Sequence, residues 1–155
     1  MSLLAVDAGL RAGLAHFGPD GRLRWYRSQH FAHRDALRRA VHGLLGTLPD
    51  LTHVAVEGGG PIALPWAREA ERRGLGFVVL DAARWRADLL HPRERRTGAD
   101  AKEQAIALAR RVVAWSGLPR PTALRHDAAE AVLTGLWAAH ALGWLDALPD
   151  LRHLR

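Results

Sequence analysis

The chain has 155 residues, of which 48% are hydrophobic and 25% charged. This balance is typical of one folded domain and excludes a disordered or collagen-like chain, so we predict a single domain over residues 1–155. The absence of cysteine excludes disulfides and thiolate metal sites, which leaves carboxylates and histidines as metal ligands. No apolar run reaches the ~20 residues of a membrane-spanning helix and no signal peptide is recognisable. We therefore expect a cytoplasmic protein without a membrane partner.

The net charge of +6 favours a polyanionic partner such as nucleic acid, because a basic surface attracts phosphates and releases counterions on binding. An arginine-rich composition without any such partner explains the same charge. Lys102 is the single lysine among the 22 basic residues. A single lysine in such a chain indicates a site that the broader guanidinium of arginine does not fill equally well, with chance as the alternative explanation.

Three apolar runs at the start predict antiparallel strands. The runs 3–7 and 13–17 form a hairpin, and a strand over 23–28 follows the turn sequence Gly18-Pro19-Asp20-Gly21. Helices and strands alternate afterwards, which predicts parallel pairing. The later predicted strands are 53–57 and 77–80, and the predicted helices are 34–48, 64–73, 83–90, 100–116 and 126–145. The result is an α/β fold with a mixed five-stranded sheet, three antiparallel and then two parallel strands, flanked by helices.

Four acidic residues are placed where this fold brings them together. Asp7 ends the first predicted strand and Glu57 ends the fourth, while Asp127 and Glu130 lie three residues apart on the last predicted helix, which places them on one face. Clustered carboxylates repel one another unless cations neutralise them, and their hard oxygen ligands favour Mg²⁺ or Mn²⁺. Taken singly, each acid is more readily explained as a turn residue, a solvated residue or a residue favoured near a helix N-terminus than as a metal ligand.

Four short motifs resemble the RuvC family of Holliday-junction resolvases, which has a ribonuclease H-like fold. In chain order they are Leu4-Ala5-Val6-Asp7-Ala8-Gly9 with Gly13-Leu14-Ala15, Val54-Ala55-Val56-Glu57, Ala101-Lys102-Glu103-Gln104 and His126-Asp127-Ala128-Ala129-Glu130-Ala131. The resemblance covers nearly the whole chain. The chain departs from the family's pattern at two places. Glu130 replaces the family's common Asp, and a run of glycines follows Glu57.

The resemblance implies a homodimeric endonuclease that cuts branched DNA, four-way junctions above all, with two Mg²⁺ or Mn²⁺ ions in each active site. It assigns Asp7, Glu57, Asp127 and Glu130 as metal ligands and catalytic residues. Lys102 matches a catalytic lysine that approaches the DNA phosphates. The helix after Glu57 is the dimer interface implied by the same resemblance.

Other candidate DNA contacts come from the residues themselves. Trp66 is a candidate for stacking on an exposed base, although a tryptophan on an amphipathic helix is also typical of a core. Arg93, Arg95 and Arg96 belong to a basic loop predicted over 91–98 and are candidates for backbone contacts, with a solvated loop as the alternative. His126 is a candidate either for the metal site or for capping its helix.

Three alternative functions remain at this stage. An RNA-processing nuclease of the YqgF-like group shares the early Asp-x-Gly hairpin but matches the segment around Glu57 poorly. An actin-like ATPase or sugar kinase also begins with such a hairpin, but it requires two domains of this type. A catalytically silent nucleic-acid-binding dimer would lack one of the carboxylates, and none is missing here.

Overall fold

A five-stranded mixed sheet organises the computed structural model, which describes residues 1–90 and 97–154. The strand order is β3-β2-β1-β4-β5, in which β1, β2 and β3 are antiparallel neighbours and β4 and β5 pair parallel to β1. This confirms the predicted sheet. The strands are β1 Ser2–Asp7, β2 Arg11–Phe17, β3 Leu23–His30, β4 Leu51–Glu57 and β5 Gly76–Leu80.

Five α-helices flank the sheet in the described residues, with a short 3₁₀ turn at Gly60–Ile62 before the second of them. The last helix ends four residues before the predicted position 145, because Gly143 adopts a positive φ of 77° that terminates it. The helices are α1 Arg34–Gly46, α2 Leu64–Arg72, α3 Ala82–Leu89, α4 Gly98–Trp115 and α5 His126–Ala141.

The predicted basic loop is shorter than expected at its carboxyl end. Thr97 caps α4 by accepting a hydrogen bond from the Asp100 N–H at 3.0 Å, and Gly98 is already helical. Residues 91–96 lie outside the described part of the chain, so the proposed contacts of Arg93, Arg95 and Arg96 are not addressed by the structure.

Each face of the sheet carries its own apolar core. Alternate residues of the central strands, such as Leu4 and Val6, pack against α1 and α2, whereas Leu3 and Ala5 pack against α3, α4 and α5. This follows from the two-residue period of a strand. No helix within 1–90 or 97–154 is both long and apolar enough to cross a membrane.

The N-terminal end of α5 lies directly on β2, with no room for a side chain between them. A Cβ added at Gly13 would lie 1.8 Å from the Asp127 carbonyl oxygen, and one added at Gly135 would lie 2.1 Å from Phe17 Cε2. Because backbone cannot yield as a flexible side chain can, Gly13 sets how closely α5 approaches the sheet.

We expect Gly13→Ala to lower the free energy of unfolding by about 2–3 kcal/mol, since the added methyl forces α5 away from β2. Gly43→Ala is the matched control, because Gly43 lies on α1 and an added Cβ meets nothing within 4 Å. That change should stabilise the protein by about 0.5–1 kcal/mol. Urea denaturation of both variants measures the difference, and equal effects would contradict the role given to Gly13.

Candidate metal centre

Asp7 and Glu57 lie side by side at the edge of the sheet where β1 and β4 end. The parallel register pairs Asp7 with Glu57, and the antiparallel register pairs Asp7 with Gly13. Asp7 continues the alternation of Leu3 and Ala5, so its side chain lies on the α5 face of the sheet. We call this edge, marked by Asp7, Gly13 and Glu57, the carboxyl edge.

Helix α5 adds a third carboxylate to this pair. Asp7, Glu57 and Glu130 each offer a carboxylate oxygen, and the three oxygens lie within 4.8 Å of one another. Glu130 is 3% exposed and occupies the second turn of α5, directly beyond the contact at Gly13. The close approach of the helix to the sheet therefore brings this acid to the strand ends.

Two basic side chains contact Glu130. Arg86 on α3 donates from Nη2 to Glu130 Oε1 at 2.5 Å, and His126 Nε2 lies 2.8 Å from the same oxygen. The Arg86 guanidinium also lies 5.0 Å above the Trp85 ring. The Arg86 guanidinium places positive charge beside the carboxylate cluster and partly offsets its repulsion.

Glu57 receives two long hydrogen bonds to a single oxygen. Trp85 donates from Nε1 at 3.5 Å and Thr134 donates from Oγ1 at 3.4 Å, both to Glu57 Oε2. Trp85 and Thr134 are themselves buried, so their positions are determined by packing. They hold the Glu57 carboxylate in one orientation.

Asp127 stands slightly apart from the three grouped carboxylates. Its Oδ1 accepts a hydrogen bond from the Ser28 hydroxyl of β3 and another from the Ala128 N–H at 2.7 Å. It is close enough for its charge to help raise the pKa of Asp7. Asp127 therefore borders the cluster, on the side toward β3.

Burial and mutual repulsion raise the pKa values of two of these acids. Burial is the largest cause of the rise to about 7 in the pKa of Asp7, followed by the charges of Glu130 and Asp127, against which Arg86 acts. Burial also raises the pKa of Glu57 to about 9, with further contributions from a hydrogen bond to Glu130 and from the charges of Glu130 and Asp7. The hydrogen bond between Glu57 and Glu130 lets these two carboxyl groups share a proton, which relieves their repulsion.

This donor set fits a divalent cation. Carboxylate oxygens are the ligands that Mg²⁺ and Mn²⁺ prefer, and three of them lie within 4.8 Å here. A bound cation would remove the repulsion that raises the pKa values of Asp7 and Glu57. The cluster is thus able to hold a metal ion.

The structure gives the remaining predicted residues different positions relative to the cluster. Lys102 is exposed on the second turn of α4. The candidate base contact of Trp66 is wrong, because Trp66 is 0% exposed and packs in the core between the sheet and α2, which leaves no free ring face. His126 is the first residue of α5, and its side chain lies beside Glu130 without capping the helix.

Sequence reasoning missed four residues around the site, namely Ser28, Trp85, Arg86 and Thr134. Thr134 lies four residues after Glu130, so helical spacing alone could have placed it on the same face. The predicted short helix after the fifth strand contained Trp85 and Arg86, but no pattern indicated that it packs against α5.

Comparison with solved structures identifies the fold as ribonuclease H-like. The crystal structure of the fowlpox virus Holliday junction resolvase matches with a TM-score of 0.68 and 15% identity, covering 91% of this chain and 99% of that one. The complex of fowlpox virus resolvase with substrate Holliday junction DNA matches with a TM-score of 0.62 and 16% identity, covering 92% and 99%. No protein-family model matches the sequence, and the curated protein sequences contain no match.

The raised pKa values predict how stability depends on pH in metal-free protein. The pKa of Asp7 is about 7 in the folded protein and an ordinary 3.8 in the unfolded chain. Between these pH values Asp7 binds a proton more strongly in the folded protein. Its favourable contribution to the free energy of unfolding is therefore lost as pH rises through 7. We expect the melting temperature in EDTA to fall between about pH 5 and about pH 8, and Asp7→Asn to raise it at about pH 8 by about 2 °C or more.

The same melting measurement with added Mg²⁺ tests whether the carboxylate cluster binds a metal ion. Because the ligands must be deprotonated, added Mg²⁺ should stabilise the wild-type protein more at about pH 8 than at about pH 5.5. Gly43→Ala, which lies outside the site, should keep the wild-type pH profile. A melting temperature of Asp7→Asn that is lower than that of wild type at about pH 8 would show that the cluster does not strain the folded protein.

Proposed function

We propose that this protein is a metal-dependent endonuclease that cuts branched DNA, with four-way junctions as its principal substrate. The observation that carries the proposal is the grouping of Asp7, Glu57 and Glu130 within 4.8 Å at the carboxyl edge of a ribonuclease H-like fold. A cluster of partly buried carboxylates is costly without a cation, and a cation between such oxygens is suited to phosphodiester hydrolysis.

Four acids would hold two Mg²⁺ or Mn²⁺ ions in this proposal. Asp7, Glu57 and Glu130 provide the central ligands, and Asp127 is the fourth, with Ser28 and its own helix N-terminus orienting its carboxylate. The bound ions would activate a water for attack and neutralise charge on the leaving oxygen. Trp85 and Thr134 orient Glu57 for this role.

Arg86 provides a positive charge inside the site itself. Its guanidinium reaches Glu130 through Nη2, while 30% of the side chain remains exposed. A phosphate oxygen is a suitable acceptor, because guanidinium groups bind phosphates with charge-assisted hydrogen bonds. Arg86 therefore holds Glu130 in place and offers a contact to the phosphate that is cut.

The topology supports a similar role for Lys102. At the C-terminal end of α4, Ser116 Oγ accepts a hydrogen bond from the Leu23 N–H at 3.0 Å, and Leu23 lies at the sheet edge opposite the carboxyl edge. The N-terminal turns of α4, with Lys102, therefore lie toward the carboxylates. A lysine there is suited to offsetting charge that develops on the phosphate.

The choice of branched DNA rests on the motif resemblance and the fold. The similar fowlpox virus protein is a Holliday junction resolvase, and the net charge of +6 suits a polyanion. Symmetrical cutting of a four-way junction requires two active sites, and one chain of this size has one. We therefore propose a two-fold homodimer, whose mass light scattering measures with and without a junction.

We expect Asp7→Asn to lower cleavage of a four-way junction by at least about 100-fold while the affinity for the junction is kept, since the amide preserves volume and removes a charged ligand. Purified protein is assayed with Mg²⁺ or Mn²⁺ on four-way, flap and duplex DNA and on structured RNA. Gly43→Ala is the control for folding and should cleave as wild type does.

The substrate panel separates the alternatives. Preferential cleavage of RNA would favour an RNA-processing nuclease of the YqgF-like type. Junction binding without cleavage under every metal condition would favour a silent nucleic-acid-binding dimer. Cleavage that survives EDTA or Asp7→Asn would contradict the metal site.

We expect Lys102→Arg to lower the single-turnover cleavage rate by about tenfold, of order 1.4 kcal/mol, with little change in junction affinity. The reason is geometric, because the compact ammonium enters a crowded metal-phosphate site that the planar guanidinium fills poorly. Rates are measured with enzyme in excess over junction. A wild-type rate in this variant would show that Lys102 is an ordinary basic surface residue.

A further inference from the structure

Three basic side chains lie at the carboxyl edge on the β3 side of the carboxylates. They are Arg11 at the start of β2, His30 at the end of β3 and Arg125, which directly precedes α5. All three are exposed. We call them the basic patch. The proposed active site uses none of these residues.

The strand register places two members of the patch on the same face of the sheet as α5. Arg11 pairs with His30, and two residues further into the sheet Gly13 pairs with Ser28. Gly13 faces the backbone of α5, and Ser28 donates a hydrogen bond to Asp127 on that helix. Because side chains two residues apart on a strand point to the same side, Arg11 and His30 also lie on the α5 side.

Helix α5 brings Arg125 to the same place. Near the start of β2, Asp127 lies against Gly13. At the end of the strand, Gly135 lies against Phe17. The helix therefore runs along β2 in the direction of the strand, and the residues before Asp127 lie beyond Gly13, toward the first residue of β2. The step from Asp127 back to Arg125 is about 3 Å, and Gly13 is about 7 Å from the start of the strand. The three basic residues thus form one patch.

The charge of the patch is not neutralised by the protein itself. Neither of its arginines has a carboxylate partner within residues 1–90 and 97–154. Asp127, two residues after Arg125, accepts hydrogen bonds from Ser28 and from the backbone of its own helix. On the other side of the cluster, Arg86 is bound to Glu130. The patch can therefore bind an anion from outside the chain.

We propose that the basic patch binds a backbone phosphate of the DNA strand that is cut, on the β3 side of the phosphate that is attacked. The inference rests on the proposed nuclease function. Guanidinium groups bind phosphates through charge-assisted hydrogen bonds, and a histidine ring carries an N–H donor in either protonation state. The patch therefore has the donors that a phosphate requires.

The positions of the basic residues determine the path of that strand. Arg86 lies on α3, which follows the edge strand β5, whereas the patch lies at the ends of β2 and β3. A strand that crosses the carboxylates therefore meets positive charge on both sides of them. The strand enters from α3 and leaves toward β3, or the reverse.

A homodimer leaves the patch accessible. Helix α2, the dimer interface implied by the motif resemblance, packs on the opposite face of the sheet from α5. A second copy bound at the patch would instead bring its basic residues against an identical set, and such like-charge contacts are unfavourable. A phosphate complements the same charges directly.

The test compares two double variants of equal charge. Arg11→Gln/Arg125→Gln removes both arginines of the patch. Arg111→Gln/Arg120→Gln is the matched control, because these residues lie on α4 and on the loop after it and have no ion pair in the part of the chain that the structure describes. Single-turnover cleavage of a four-way junction with Mg²⁺ or Mn²⁺ is measured over a range of enzyme concentrations in excess of DNA.

The same assay is repeated with modified junctions. Each carries one uncharged methylphosphonate in place of one phosphate near the mapped cleavage position, on either side of it. Both the enzyme concentration that gives half the maximal rate and the maximal rate itself are recorded. The two values separate binding of the junction from the chemical step.

We expect half-saturation of the patch variant to require at least about fivefold more enzyme than that of the control at about 0.1 M salt, with little change in the maximal rate. One methylphosphonate position, on one side of the cut, should weaken the wild-type protein similarly. It should have little further effect on the patch variant, because that contact is already missing.

Three results would overturn the proposal. The first is equal half-saturation of the patch and control variants. The second is a methylphosphonate effect that is the same in wild type and patch variant at every position, since the patch would then contact no phosphate near the cut. The third is a loss confined to the maximal rate. Failure of the wild-type protein to cut any DNA would instead refute the nuclease function on which the inference rests.

Discussion

The contact between the backbone of α5 and β2 at Gly13 is the constraint on which the site depends. A Cβ at Gly13 would lie 1.8 Å from the carbonyl oxygen of Asp127, so the helix can reach this position only because β2 has no side chain there. The contact places Glu130 beside Asp7 and Glu57 and lets Thr134, one turn further on, reach Glu57. A helix displaced by the width of a methyl group would separate the carboxylates that make a metal site possible.

Bringing the carboxylates together has an electrostatic cost, and the surrounding residues reduce it only in part. The charge of Arg86, which contacts Glu130, acts to lower the pKa of Asp7, but that pKa remains raised to about 7 and that of Glu57 to about 9. The metal-free protein therefore carries at neutral pH a site that opposes folding. Such strain is expected where a site is organised for a ligand, because binding of a cation then recovers the stability that the cluster costs.

The sequence predicted the strand contributions to the site better than those of α3. Asp7 and Glu57 were predictable because each ends a buried strand, and Glu130 because its spacing from Asp127 places both on one helix face. Arg86 and Trp85 were not predictable, because their role depends on how α3 packs against α5 and no local pattern encodes that packing. Trp66 shows the same limitation of sequence-based prediction. The sequence allows both a buried and an exposed position for this side chain, and only the structure decides between them.

The topology also explains how an acidic site can receive a polyanion. Helices α1, α2, α3 and α5 all begin at the carboxyl edge, since three of them follow strands that end there and the fourth starts beside Gly13. Each N-terminus contributes roughly half a positive elementary charge, and Arg34 at the start of α1 adds a full one. The carboxylates are thus surrounded by positive potential that attracts phosphates, while the acids themselves repel them until cations bind. DNA affinity at the carboxylates and metal binding should therefore be coupled.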